Sequence, residues 1–160
     1  MRYAIAVWPF RKKESKPETL PVDGPWSFSA GKRADHILLL RLNRGYRRLG
    51  KLVEYTHQIG IATPVLSPQP NGLPGGEENI VLGEVEDIIR RALEAEAESL
   101  YMAVITTTGM REFVFYTRSP EGARGKFSEL IGQVRSHQLQ LMIQPDENWE
   151  VYAALSAGKF

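Results

Sequence analysis

The chain has 160 residues, 42% of them hydrophobic, 24% charged and 9% aromatic, and its 20 basic and 19 acidic groups leave a formal net charge of +1. This balance excludes a collagen-like repeat, a disordered tail and any function driven by a broad basic field toward nucleic acid or an anionic membrane. The absence of cysteine removes disulfides, thiolate–zinc sites, iron–sulfur clusters and thiol catalysis.

A chain of this length buries roughly two thirds of its unfolded surface in one core, so a single domain over residues 1–160 is expected. Tyr3–Trp8 is an apolar stretch too short for a signal peptide, and Pro9 and Arg11-Lys12-Lys13 follow it. No stretch nears the roughly 18 apolar residues of a membrane span, so a cytoplasmic location without membrane association is expected. Residues 1–25 read as an N-terminal strand followed, over the Lys-, Glu-, Ser- and Pro-rich residues 11–25, by a loop or flexible connector. Trp26–Ala30 alternates large apolar and small residues, Gly31-Lys32 supplies a turn, and Ile37–Leu42 is a continuous apolar run. Together they predict a β-hairpin. Asn43–Gly50, basic and with two glycines, reads as an irregular connection.

Residues 52–66 carry a two-residue period, with Val53, Tyr55, His57, Ile59, Ile61 and Val65 on one side, predicting one long strand with a buried face. The Gly- and Pro-rich segment 67–76 is a loop. From Glu77 to Glu98 the period lengthens. Val81, Val85, Ile88, Ile89, Ala92 and Leu93 form a helical stripe, with acidic residues in the first turn and Asn79 as a cap if the helix begins late. Leu100–Thr107 and Arg111–Thr117 form a hairpin about Thr108-Gly109, and the second strand, apolar on both faces, is expected at the centre of the sheet. Ser119 caps and Pro120 opens a second helix with Phe127, Leu130, Ile131 and Val134 facing inward. Leu139–Ile143 is a last strand. Asp146 or Asn148 caps a final helix whose Trp149 and Tyr152 pack back on the body.

From residue 52 the order strand, helix, strand, strand, helix, strand predicts an α+β fold with a ferredoxin-like split βαβ core. The core is an antiparallel sheet with two helices on one face. The N-terminal β-hairpin extends the sheet or adds to an edge, and a C-terminal helix completes the domain. The near-zero charge is unevenly laid out. Residues 1–76 hold 12 basic and 5 acidic groups, whereas residues 77–98 hold 8 acidic groups and only Arg90 and Arg91.

The residues point to no catalytic, cofactor-binding or metal-ligating set, and no cofactor is expected. His36, His57 and His137 lack a metal-binding spacing. Thr106, Thr107 and Thr108 have no adjacent base or nucleophile elbow, and strand propensity accounts for them. Gly72–Gly76 lacks a phosphate-loop pattern, and Glu77 and Glu78 oppose an anion there. Phe113, Phe115 and Tyr116 read as core in preference to an RNA-stacking surface. Arg111 and Glu112 fall on opposite faces of their strand, and Arg111 is expected to clamp a carboxylate of Asp146 or Glu77.

Several motifs resemble a bacterial family catalogued as domain of unknown function 695. They are Trp26-Ser-Phe28 with Gly31-Lys32-Arg-Ala34, Gly72-Leu73-Pro74 with Glu77-Glu78, and Tyr101 followed by Thr106-Thr107-Thr108-Gly109-Met-Arg111-Glu112-Phe113-Val-Phe115-Tyr116. Asp146-Glu-Asn-Trp149-Glu-Val-Tyr152 closes the set. The likeness covers about residues 26–155, with Glu147 where the family usually has proline. It implies no established activity. In some bacterial proteins such a domain adjoins one similar to an inhibitor of ribonuclease E, which implies an interaction role. The candidate interaction or structural residues are therefore Arg111, Glu112, Tyr116, Asp146, Trp149 and Tyr152.

The function expected from this reading is a non-enzymatic protein-binding or regulatory module. Its alternatives are an immunity-type or nuclease-regulating inhibitor, a small hydrolase-like enzyme using His57, Arg111 and a carboxylate, and a single-stranded RNA binder. The partner is expected to be another protein in preference to nucleic acid, with a homodimer through a sheet edge as a further option.

Overall fold

The computed structural model describes residues 19–159, so the expectations for residues 3–8 and 11–18 lie outside the described residues. The strands are β1 Trp26–Arg33, β2 His36–Asn43, β3 His57–Pro64, β4 Ser99–Thr107, β5 Met110–Thr117 and β6 Gln140–Pro145. The helices are α1 Gly45–Leu49, α2 Gly76–Leu93, α3 Pro120–Gln133 and α4 Glu150–Ser156. The six strands form one sheet in the order β1-β2-β4-β5-β3-β6, with every neighbouring pair antiparallel.

Alternation along β5 explains why it lies between β4 and β3. Phe113 and Phe115 point to one face, where they meet Ile59, Ile61, Val85, Ile89, Leu93, Ala123 and Leu130 beneath α2 and α3. Val114 and Tyr116 point to the other, against Leu100, Met102, Tyr46, Trp149 and Tyr152 beneath α1 and α4. Both faces of the sheet are thus covered here, and each fully buried Phe side chain contributes about 1.5–3 kcal/mol. A register shift between Tyr101 and Ala103 breaks the alternation of β4, so that Tyr101 and Val104 reach the same face. At the end of β2, buried Asn43 joins three segments. Its side-chain amide donates to the carbonyls of Val22 (2.8 Å) and Tyr101 (3.0 Å), and its side-chain oxygen accepts from Gly24 and Gly45 N–H.

Several expectations are corrected. The first hairpin turns at Ala34-Asp35, not at Gly31-Lys32, so β1 runs on to Arg33 and Ala34 takes a left-handed φ of 54°. The basic segment after β2 contains the short helix α1, which places Tyr46 in the core. The long period-two strand begins only at His57. Before it the chain turns, with Tyr55 N–H bonded to Leu52 C=O at 3.0 Å, and Val53 is left 76% exposed. Helix α2 stops at Leu93 because Glu96 and Ala97 adopt positive φ within a following 3-10 turn. Ile131 points outward from α3. The last strand reaches Pro145, tolerated because among the described residues β6 is an edge strand paired only with β3. Among the described residues no helix is long and apolar enough to cross a membrane.

The N-terminal hairpin joins the sheet through β2, whose Leu39 and Arg41 lie opposite Thr106 and Val104 of β4. Helix α2 packs on α3 and β4. Strands β1 and β2 carry the sheet outward beyond α2, and the step between helix and hairpin is a groove.

Candidate ligand groove beside helix α2

The groove has a volume of about 580 Å³, within the range of small-ligand and peptide-anchor pockets. Its apolar side is built from Phe28 and Ala30 of β1, Leu39 of β2 and Val104 of β4. Phe28 is 79% exposed, a large ring left unburied on an edge strand. The polar side is built from Arg41, Thr106, Arg111, and the α2 residues Asn79 and Glu86. Gly83, one turn from each of those α2 residues, leaves open space above the helix, since a β-carbon there would meet nothing.

Three guanidinium groups lie on this face, and their partners differ. Arg90 is neutralised by Glu94 at 3.1 Å and by Asp23 at 3.4 Å, and it sits over the rings of Tyr101 (4.7 Å) and Trp26 (5.9 Å). Arg41 is ion-paired with Glu86 and lies 5.2 Å from the Trp26 ring. Among the described residues no carboxylate is ion-paired with Arg111. Its Nε–H donates to Thr106 Oγ1 at 3.0 Å, and one Nη2–H donates to Asn79 Oδ1 at 2.9 Å. Burial disfavours its charged form and lowers its pKa. Glu86 opposes this effect, while Arg41 acts in the same direction as burial. Two guanidiniums therefore share the single carboxylate of the groove lining.

Beside this cluster the Tyr101 hydroxyl is fully buried and faces the Glu86 carboxylate. Its ionisation is pushed well up, first by burial and then by the negative charge of Glu86. Tyr101 is held by stacking on Phe115, with centroids 4.7 Å apart, and by Trp26 at 5.3 Å.

The structure separates the six residues singled out from the sequence. Arg111 alone enters the groove. It does not clamp Asp146 or Glu77. Thr106 lies beside it on β4 and Asn79 reaches it from α2, whereas Asp146 is committed to α4 beneath the opposite face. Asn79 lies inside α2 and is not its cap, and its side chain bonds Arg111 and the Pro74 carbonyl. Glu112 points to the other face from Arg111, opposite Ala62 and Ile105, and burial raises its pKa.

Tyr116, Asp146, Trp149 and Tyr152 form a structural knot. Tyr116 Oη donates to Asp146 Oδ2 at 2.5 Å, and Asp146 accepts from Glu150 N–H at 2.8 Å and Val151 N–H at 3.0 Å, closing the start of α4. Tyr152 N–H donates to Tyr116 Oη at 3.2 Å, and its own hydroxyl donates to Asn43 C=O at 2.6 Å. Trp149 stacks on Tyr116 with centroids 4.6 Å apart and donates from Nε1 to Tyr55 C=O at 2.8 Å. All four side chains are buried.

The other sites weighed in the sequence also find places. Phe113, Phe115 and Tyr116 are fully buried and present no ring for a base to stack on. His57 pairs with Thr117 at one end of the β3–β5 ladder, while Arg111 pairs with Thr63 at the other. Six residues of strand, about 20 Å, separate the two positions. His137 is buried, with Nε2 3.0 Å from Glu78 Oε1. Glu78 also accepts from Leu66 and Ser67 N–H at 2.6 and 3.0 Å, so it straps the loop after β3 and the segment before β6 to the first turn of α2. Burial raises the Glu78 pKa, but His137 and the two amides outweigh it and the net shift is downward. A second cavity of about 710 Å³ lies beside this strap, lined by Leu66, Ile131 and His137 among others. Among the described residues no group of three or more His, Cys, Asp or Glu side chains is placed to hold a metal ion.

Arg41 and Glu86 were missed in the sequence, although each carried a signal. Arg41 is a charge inside the apolar run of β2, and Glu86 sits between the inward-facing Val85 and Ile89 of α2. Charges in such positions need partners.

A family model described as "Family of unknown function (DUF695)" matches residues 25–155. No curated protein and no solved structure matches the chain.

Proposed function

The chain belongs to the DUF695 family, and on that premise we propose that it is a non-enzymatic recognition module that binds another protein through the groove beside α2. The observation that carries this reading is Arg111, a partly buried guanidinium fixed by two neutral side chains and next to a second guanidinium. Such a group costs free energy to hold when it shares one carboxylate with a second guanidinium, and an incoming anionic group offsets that cost. The apolar wall ending in exposed Phe28 supplies the contact area that a protein partner buries. We also infer that residues 57–145 form a ferredoxin-like unit. The strand order β4-β5-β3-β6, with α2 and α3 each linking two strands and sharing one face, supports it.

Affinity capture from the native lysate tests the groove. The wild-type chain is compared with Phe28→Ser, which removes the exposed ring without opening the core. A partner retained by wild type and depleted about tenfold on Phe28→Ser is expected, a change worth about 1.4 kcal/mol. Equal recovery of the same proteins on both refutes the groove as the binding site.

A further inference from the structure

We propose that the groove is a receptor for the C-terminal carboxylate of a partner polypeptide that ends in an apolar residue. The proposal rests on the groove reading above and names the group that the groove selects.

The donor count comes first. A guanidinium carries five N–H groups in a planar fork. Thr106 takes the Nε–H of Arg111 and Asn79 takes one Nη2–H, which leaves both Nη1–H groups and one Nη2–H. These three remaining N–H groups are available to the oxygens of a carboxylate. Thr106 and Asn79 hold the plane of the guanidinium, so the fork is oriented before the ligand arrives. Arg41 adds positive charge nearby but is already engaged by Glu86.

Glu86 then selects among anions. It sits in the groove lining with a largely buried side chain. With Arg41 and Arg111 the three charged groups of the lining sum to +1, which a monoanion neutralises and a dianionic phosphate leaves with an excess negative charge beside Glu86. The groove is therefore matched to a singly charged oxyanion.

The apolar wall decides what carries that anion. Val104 and Leu39 adjoin the polar cluster, and Phe28 and Ala30 continue the wall to the sheet edge. A charge next to an apolar group is the chemistry of a C-terminal residue, whose carboxylate and side chain leave the same Cα. Asp and Glu side chains carry their carboxylate on a short methylene stem, with no second side chain on the same Cα to fill the apolar wall. The open space above Gly83 admits main chain close to α2. Capture of a terminal carboxylate together with its neighbouring side chain is a recurrent mode of peptide recognition.

Full-length chain labelled with ¹⁵N is titrated separately with acetyl-Ala-Ala-Leu bearing a free carboxylate, with the same peptide as its C-terminal amide, with hexanoate and with inorganic phosphate. The amide signals of Asn79, Gly83 and Thr106 and the Nε–H of Arg111 report binding. Saturable shifts with the peptide acid are expected, with about tenfold weaker binding of the amide and of hexanoate. Arg111→Gln loses the acid-over-amide preference while keeping a dispersed folded spectrum, and Arg111→Lys, which keeps charge but not the fork, retains only part of it. Equal binding of acid and amide, an unchanged preference in Arg111→Gln, or no saturable shift with any probe overturns the proposal. Phosphate or hexanoate matching the peptide acid at the same signals also overturns it and assigns the groove to a free anion. Partner capture that depends on Phe28 alongside equal binding of acid and amide removes the carboxylate and keeps the groove. Capture that ignores Phe28 removes the groove itself.

Discussion

Replacing Asp146 by alanine isolates the knot that fastens α4 to the sheet. Two effects add. The first is the cap, since Asp146 accepts from Glu150 and Val151 N–H, and losing a capping acceptor costs about 0.5–2 kcal/mol. The second is the Tyr116 hydroxyl, fully buried and donating to Asp146 at 2.5 Å. Stranding that donor costs about 1–3 kcal/mol. The expected loss is therefore about 2–4 kcal/mol, a large share of the roughly 5–15 kcal/mol that stabilises a typical domain. For a chain of this size it lowers Tm by about 5–15 °C. Urea unfolding followed by circular dichroism measures it, with an unchanged m-value showing that the unfolded state is the same. Asp146→Asn keeps a capping oxygen and should lose clearly less. In a Tyr116→Phe background, Asp146→Ala should cost only the cap, giving a coupling of about 1–2 kcal/mol in the double-mutant cycle. A loss below about 1 kcal/mol, or no coupling with Tyr116, refutes the reasoning, because a buried donor cannot lose its acceptor without penalty.

Three further outcomes are expected. Glu78 has a pKa below its ordinary 4.5 in the folded state, so it stabilises the fold above that value and the contribution fades as pH falls through the folded pKa. Glu78→Gln should therefore lower stability at neutral pH and flatten the acid limb of a stability–pH curve, and an unaltered acid limb counts against the strap. Glu112 has the opposite sign. Burial raises its pKa above 4.5, so its contribution is most favourable below the unfolded value and is lost as pH rises through the folded pKa. Glu112→Gln should raise stability at neutral pH, and urea unfolding at pH 4 and pH 7 tests the sign. Gly72 combines a φ of 81° with close approach to Thr108, into whose side chain a β-carbon would run. Gly72→Ala should cost about 1–3 kcal/mol from left-handed strain and displacement. Thr108→Ala in that background should restore only the part due to displacement, and full restoration would show that φ carries no penalty there.

Elements whose signals are local were legible along the chain. The change from a two-residue to a helical period at residue 77 placed α2, Ser119-Pro120 placed the start of α3, and the doubly apolar run 111–117 placed β5 between covered faces. Asp146 or Asn148 was legible as the residue that closes the start of α4, and the structure gives that role to the Asp146 carboxylate, three residues before Trp149 at the N-cap position. The terminal Asp-x-x-Trp-x-x-Tyr motif was visible as a pattern, but its role as a knot with Tyr116 was not, because the two segments meet only across the sheet. Tertiary structure alone decided the groove. Arg41 and Glu86 are 45 residues apart, and Arg111 and Asn79 are 32 apart. Their meeting depends on β2 pairing with β4 and on α2 lying over β4 beside that junction. Periodicity records which face of an element is buried. It carries no record of which distant element supplies the cover, and a charge on a buried face is paired by whatever the register brings opposite. That is why Arg111, readable as a clamp, found two neutral side chains in place of the expected acid and kept three of its five N–H groups free.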